Sequence, residues 1–125
     1  MNRLRVAMIQ VNSVVGGLEG NVARVRSALG EVVDCDVAVF PEMVLTGYPL
    51  EDLLFKPSFL RDNVDAMHQI MAASKGIAVV CGYVEMGPDI ANAAAIVSGG
   101  HFIASYRKTY LPNYGAVPYT HLRPH

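Results

Sequence analysis

A chain of 125 residues, 52% hydrophobic and 17% charged, is sized for one domain with a real core and is not composed like a disordered segment. Ten basic and eleven acidic residues leave a net charge of −1, so electrostatics give no reason to expect nucleic acid or an anionic membrane as partner. The start, Met1-Asn2-Arg3-Leu4-Arg5, leads into only about six apolar residues before Asn12. That is too few for a spanning helix and makes a poor signal peptide, so a cytoplasmic protein is expected.

Residues 4–11 form a short, largely apolar run that suits a strand buried on both faces. Gly16, Gly17 and Gly20 break it, and Asn21 reads as a helix N-cap. Val22, Val25, Leu29 and Val32 then recur at helical spacing, with Arg24, Arg26 and Glu31 on the outer face. Residues 37–40 are a second short buried strand, completing a βαβ unit. A second helix carries Leu60, Val64, Met67 and Met71 on one face, capped by Ser58 and ended by Gly76. Residues 77–84 are a third strand. Residues 93–97 and 102–106 are two more, joined through Ser98-Gly99-Gly100, a strong hairpin signal. The fold class is therefore α/β with a mixed sheet: early parallel strands followed by an antiparallel pair.

Cys35 and Cys81 lack CxxC or Cys/His partners at metal spacing, and both read as small buried hydrophobes rather than reactive thiols. His121 and His125 are spaced for a metal on a helix, but Pro124 between them argues against that helix, and no metal site is expected.

The most informative segment runs from Phe40-Pro41-Glu42 through Thr46-Gly47-Tyr48-Pro49 to Asp52. A core strand stops at a proline and then presents a carboxylate, which is where α/β proteins place their chemistry. Pro41 holds Phe40 extended and fixes its own φ, so the approach to Glu42 is stiff. On residue chemistry alone, Glu42 is either a solvated loop carboxylate or a base, and Lys108 reads as an exposed lysine after a strand. Tyr48 and Tyr114 read as half-buried packing residues, and Glu51 and Asp52 as caps of a short turn. His68 reads as packed, and Asn92 as structural.

Three segments in order resemble the nitrilase superfamily of carbon–nitrogen hydrolases, and within it the glutaminase domains of glutamine-dependent NAD synthetases. They are Ala7-Met8-Ile9-Gln10-Val11-Asn12 with Leu18-Glu19-Gly20-Asn21, then Phe40-Pro41-Glu42 with Leu45-Thr46-Gly47-Tyr48-Pro49, then Arg107-Lys108-Thr109-Tyr110-Leu111-Pro112-Asn113-Tyr114-Gly115. The resemblance implies the N-terminal half of a four-layer αββα sandwich over residues 1–115, with residues 116–125 an atypical, non-native tail. It implies a Glu-Lys-Cys site in which Glu42 is the general base and Lys108 stabilises the oxyanion, while Tyr114 contacts the substrate, L-glutamine, and Tyr48 helps shape the pocket. It also implies ammonia delivery to a C-terminal synthetase domain that uses ATP with Mg to amidate deamido-NAD, and assembly as a homo-oligomer. No cofactor is expected on these residues themselves. The nucleophilic cysteine belongs to a later strand, so the chain as given is expected to be inert. An isolated part-sheet is also expected to be poorly soluble. The alternatives are a stand-alone carbon–nitrogen hydrolase acting on another amide or nitrile, and a non-catalytic glutamine-binding or assembly module.

Overall fold

The computed structural model describes residues 3–15, 17–42, 44–47, 57–85 and 91–110, excepting the side chains of Leu60, Lys108, Thr109 and Tyr110. These residues form β1 (Val6–Met8), α1 (Leu18–Glu31), β2 (Val37–Val39), α2 (Pro57–Ala73), β3 (Ala78–Glu85), β4 (Ala91–Ser98) and β5 (His101–Tyr110). The strands make one sheet in the order β1-β2-β3-β4-β5. β1, β2 and β3 run parallel, and β3, β4 and β5 are antiparallel neighbours. The expected mixed α/β sheet is what the chain forms.

Register explains which face is covered. Ala38 pairs with Val79, Val79 with Val97, Cys81 with Ala95 and Tyr83 with Ala93, and all of these are buried. They form one face of the sheet, and α1 and α2 lie on it through Val22, Val25, Leu29, Phe59, Met67 and Ile70. Each such aliphatic or aromatic side chain contributes roughly 1.5–3 kcal/mol by leaving water. The hairpin between β4 and β5 turns on Gly99 and Gly100 with φ of 61° and 84°. Two consecutive left-handed residues suit the twist of antiparallel strands, so the Ser98-Gly99-Gly100 signal is read correctly. Gly76, with φ of 87°, likewise follows the end of α2.

Several local expectations are corrected. Asn21 is not an N-cap: α1 starts earlier, at Leu18, Gly17 is its cap residue, and the backbone N–H of Asn21 is already bonded to the Gly17 carbonyl at 2.8 Å. Leu18 must be buried, which draws the helix start past Gly20. Ser58 does not cap α2, because Pro57 opens that helix; proline suits the first helical position, where its missing N–H has no partner to lose. The buried face of α2 runs through Phe59, Asn63, Ala66, Met67 and Ile70, leaving Val64 39% exposed and His68 exposed rather than packed. β1 is an edge strand with one sheet neighbour, and Val6 and Met8 are exposed rather than buried on both faces. β5 runs on to Tyr110, so Lys108 lies within a strand and not after one.

Candidate functional site

The carboxyl ends of β2, β3 and β5 and the start of β4 share one edge of the sheet, as the parallel and antiparallel pairings require. Past β2 the ladder continues: Phe40 donates its N–H to the Val80 carbonyl at 2.8 Å, and Phe40 is buried. Pro41 then ends the pairing and turns the chain to Glu42 at that edge.

The loop bearing Glu42 is fixed from beneath. Val44, Leu45, Thr46 and Gly47 are all buried. The Asn21 carboxamide holds them to the segment after β1. It accepts from the Val14 N–H at 2.8 Å and donates to the carbonyls of Val14 at 2.8 Å and Leu45 at 2.9 Å. Ser13 donates its hydroxyl to the Val44 carbonyl. Gly47 takes φ of 76° and packs so closely on Val15 that a Cβ there would stand 2.8 Å from the Val15 backbone. Asn21 fails as a cap because its side chain is committed to this clasp. Buried amides left without partners cost about 1–3 kcal/mol each, so the clasp is strongly specified.

Asn92, read from sequence as structural, touches Glu42: its Nδ2 donates to Glu42 Oε1. Asn92 is 3% exposed and sits near the start of β4, paired with Val84 on one side and Thr109 on the other. The β4–β5 register shifts between Asn92 and Ala93, which pair with Thr109 and Arg107; Lys108 is the extra residue of that bulge. Bulges bend a strand and re-aim its side chains, and they recur beside active sites. Glu42 and Lys108 are therefore brought to one corner of the sheet through Asn92. The side chain of Lys108, together with Tyr48, Tyr114 and residues 116–125, lies outside the described residues.

The neighbouring corner is tied across β4 on its helix-covered face. The Tyr83 hydroxyl donates to Glu85 Oε1 at 3.1 Å and lies 3.1 Å from the Ser105 hydroxyl. Glu85 in turn pairs with Arg107 at 2.9 Å. Only the small Ala93 and Ala95 lie between the two strands, so Tyr83 can reach over them. Burial pushes the Tyr83 hydroxyl above its ordinary range.

Neither cysteine is placed to react beside Glu42. Cys35 precedes β2, at the opposite edge of the sheet. Cys81 is buried in mid-β3 on the helix-covered face, and burial pushes its thiol up to about 12. Two surface clefts, of about 380 Å³ beside Gln10 and Arg24 and about 390 Å³ between α1 and α2, are lined by neither Glu42 nor Asn92. Among the described residues no group of His, Cys, Asp and Glu is arranged to hold a metal ion, and no helix is long and apolar enough to cross a membrane.

The profile of the carbon–nitrogen hydrolase family matches residues 5–124. The chain is 41% identical over 119 residues to the glutamine-dependent NAD(+) synthetase of Thermotoga maritima, covering 92% of this chain and 21% of that protein. It therefore spans about a fifth of the length of that curated relative. The glutamine-dependent NAD+ synthetase of Acinetobacter baumannii, solved in complex with ADP, superposes with a TM-score of 0.80 at 30% identity, covering 90% of this chain and 22% of that one. An amidase from Nesterenkonia sp. superposes with a TM-score of 0.77 over 88% of this chain and 44% of that one; at 20% identity that likeness shows the fold.

Proposed function

Since this chain belongs to the carbon–nitrogen hydrolase family, we propose that it forms the base-and-lysine side of a glutaminase site feeding NAD synthesis. Glu42 is the general base. It takes the proton from a cysteine thiol contributed by sequence other than Cys35 and Cys81. The thiolate attacks the side-chain amide carbon of L-glutamine, and Lys108 faces the oxyanion that develops there. Collapse of the tetrahedral adduct, with a proton returned to the leaving nitrogen, releases ammonia and leaves a thioester, which water hydrolyses to glutamate. An amide is a poor electrophile, so an activated nucleophile and a charge aimed at the oxyanion are the two aids it needs. A positioned base contributes roughly 10²–10⁴ in rate and one oxyanion donor about 10²–10³. Tyr114 is assigned to the glutamine. ATP with Mg, and deamido-NAD, belong to a second unit that receives the ammonia.

The observation that carries this reading is the corner itself: the bulge residue Lys108 directly precedes Thr109, the β5 partner of Asn92, whose amide is bonded to Glu42. Relatives named for glutamine-dependent NAD synthesis support the substrate. The test is a chimera in which this chain replaces the segment it matches in the Thermotoga maritima enzyme. Ammonia release from glutamine is expected, with a fall of at least about 10³-fold on Glu42→Gln. NAD synthesis driven by added ammonium should be unchanged and so reports folding. A chimera active with ammonium but silent with glutamine would sink the reading.

A further inference from the structure

We propose that Asn92 is a positioning residue that sets the orientation of the Glu42 carboxylate relative to Lys108; the proposal rests on the glutaminase reading of that corner.

Asparagine is depleted from strands, and a buried carboxamide lacking a partner costs about 1–3 kcal/mol. Asn92 nevertheless lies almost wholly buried in β4, in a run of alanines and aliphatic residues where a small apolar side chain would pair equally well. Its amide is spent on Glu42, which follows β2. β2 and β4 are separated by β3, a spacing of roughly 10 Å between strand axes. The loop and the Glu42 side chain therefore lean across the end of β3 to reach β4, where the Asn92 amide donates to the carboxylate.

The chemistry of the donor matters. A general base must stay basic while being held still. An arginine or lysine in this place would form a charge-assisted bond roughly twice as strong as a neutral one, and would oppose protonation of the carboxylate. A neutral amide fixes the carboxylate plane at a smaller cost in basicity. The backbone of Asn92 is also the point at which β5 bulges to insert Lys108. One residue thus holds the base through its side chain and sets the strand carrying the lysine through its main chain, which fixes the geometry between the two groups. Errors of about 1 Å in such geometry can cost about 10²-fold in rate.

The test uses the chimera described above with Asn92→Asp, which keeps the shape but removes the donor at neutral pH, and Asn92→Ala. With glutamine, kcat is expected to fall about tenfold or more while KM changes less than about twofold, because the substrate is still bound but the base is misaligned. Ammonium-driven synthesis should be unchanged. An unaltered glutamine kcat, or an equal fall in the ammonium reaction, overturns the proposal. Crystal structures of the chimera and its Asn92→Ala variant give a readout independent of turnover: the Glu42 carboxylate should be bonded to Asn92 in the first and reoriented in the second. An unmoved carboxylate overturns the proposal even where glutamine activity is lost. A parent chimera silent with glutamine refutes the glutaminase reading instead, and the crystal comparison still decides whether Asn92 holds Glu42.

Discussion

Cys81 is buried in the middle of β3, and desolvation raises its thiol from 9.0 to about 12. The unfolded chain loses this proton near the lower value and the folded chain near the higher. Between the two, the unfolded state binds fewer protons than the folded one, so stability is fully present below about pH 9 and is lost as pH rises toward 12. The slope from this one group is at most about 1.4 kcal/mol per pH unit. Tyr83, raised from 10.0, adds a slope of the same sign at higher pH. Urea unfolding at pH 8, 9.5 and 10.5 should therefore show falling stability, with a shallower fall in Cys81→Ala. Equal slopes for the two proteins would show that the thiol titrates freely in the folded state. The same burial explains why a cysteine on a central strand is no candidate nucleophile: a thiolate there has neither solvent nor a cation to support it.

Two glycine-bearing turns differ in what holds them, and the difference is testable. At Gly99 the φ is 61° and nothing lies within 4 Å of a built Cβ, so only backbone conformation is at stake. Asparagine tolerates that region, and Gly99→Asn should cost less than about 1 kcal/mol. At Gly47 the φ is 76° and a Cβ meets the Val15 backbone at 2.8 Å, adding a collision to the strain. Gly47→Ala should cost about 3 kcal/mol or more, measured by urea unfolding, and should displace the loop that bears Glu42. A Gly47→Ala protein as stable as the parent would mean that the Val15 contact is slack. The contrast also shows what was legible in the sequence. The hairpin was readable because two adjacent glycines between strand-like runs are a local signal, and Glu42 because a proline after an apolar run marks a strand end. The start of α1 was misread because Asn21 carries a tertiary duty that looks, locally, like a cap. The α2 stripe was misplaced because its central buried residue, Asn63, is polar; it donates to the Val84 carbonyl at 2.7 Å and so belongs inside. Asn92 was passed over because one carboxamide among alanines has no period, although its poor fit to a buried strand was itself a usable clue.

The described residues form a sheet with helices on one face. Residues of the opposite register, among them Val6, Met8, Val39, Val80, Ile96 and Tyr106, form the other face, which no helix of the described residues covers. Met8 is 77% exposed and Tyr106 68% exposed, so this face shows apolar side chains at β1 and β5, while Val84 and Asn92 in the same register are buried. A sheet with both faces strand-like in composition, of which the described helices cover one, carries an association surface, because monomers seldom leave such patches bare. The αββα arrangement implied by the family resemblance would cover it with a second sheet, consistent with a chain that spans 21% of its Thermotoga maritima relative. Expressed as given, the chain should therefore self-associate through this face rather than through its helices. Met8→Lys with Tyr106→Lys should raise the monomer fraction in sedimentation velocity, since each places a charge where apolar surfaces would meet. Val33→Lys, at a position 76% exposed beyond the end of α1, should leave it unchanged. If the two variants shifted the distribution equally, association would be indifferent to the bare face, and the case for its being the surface on which the fold is completed would fall.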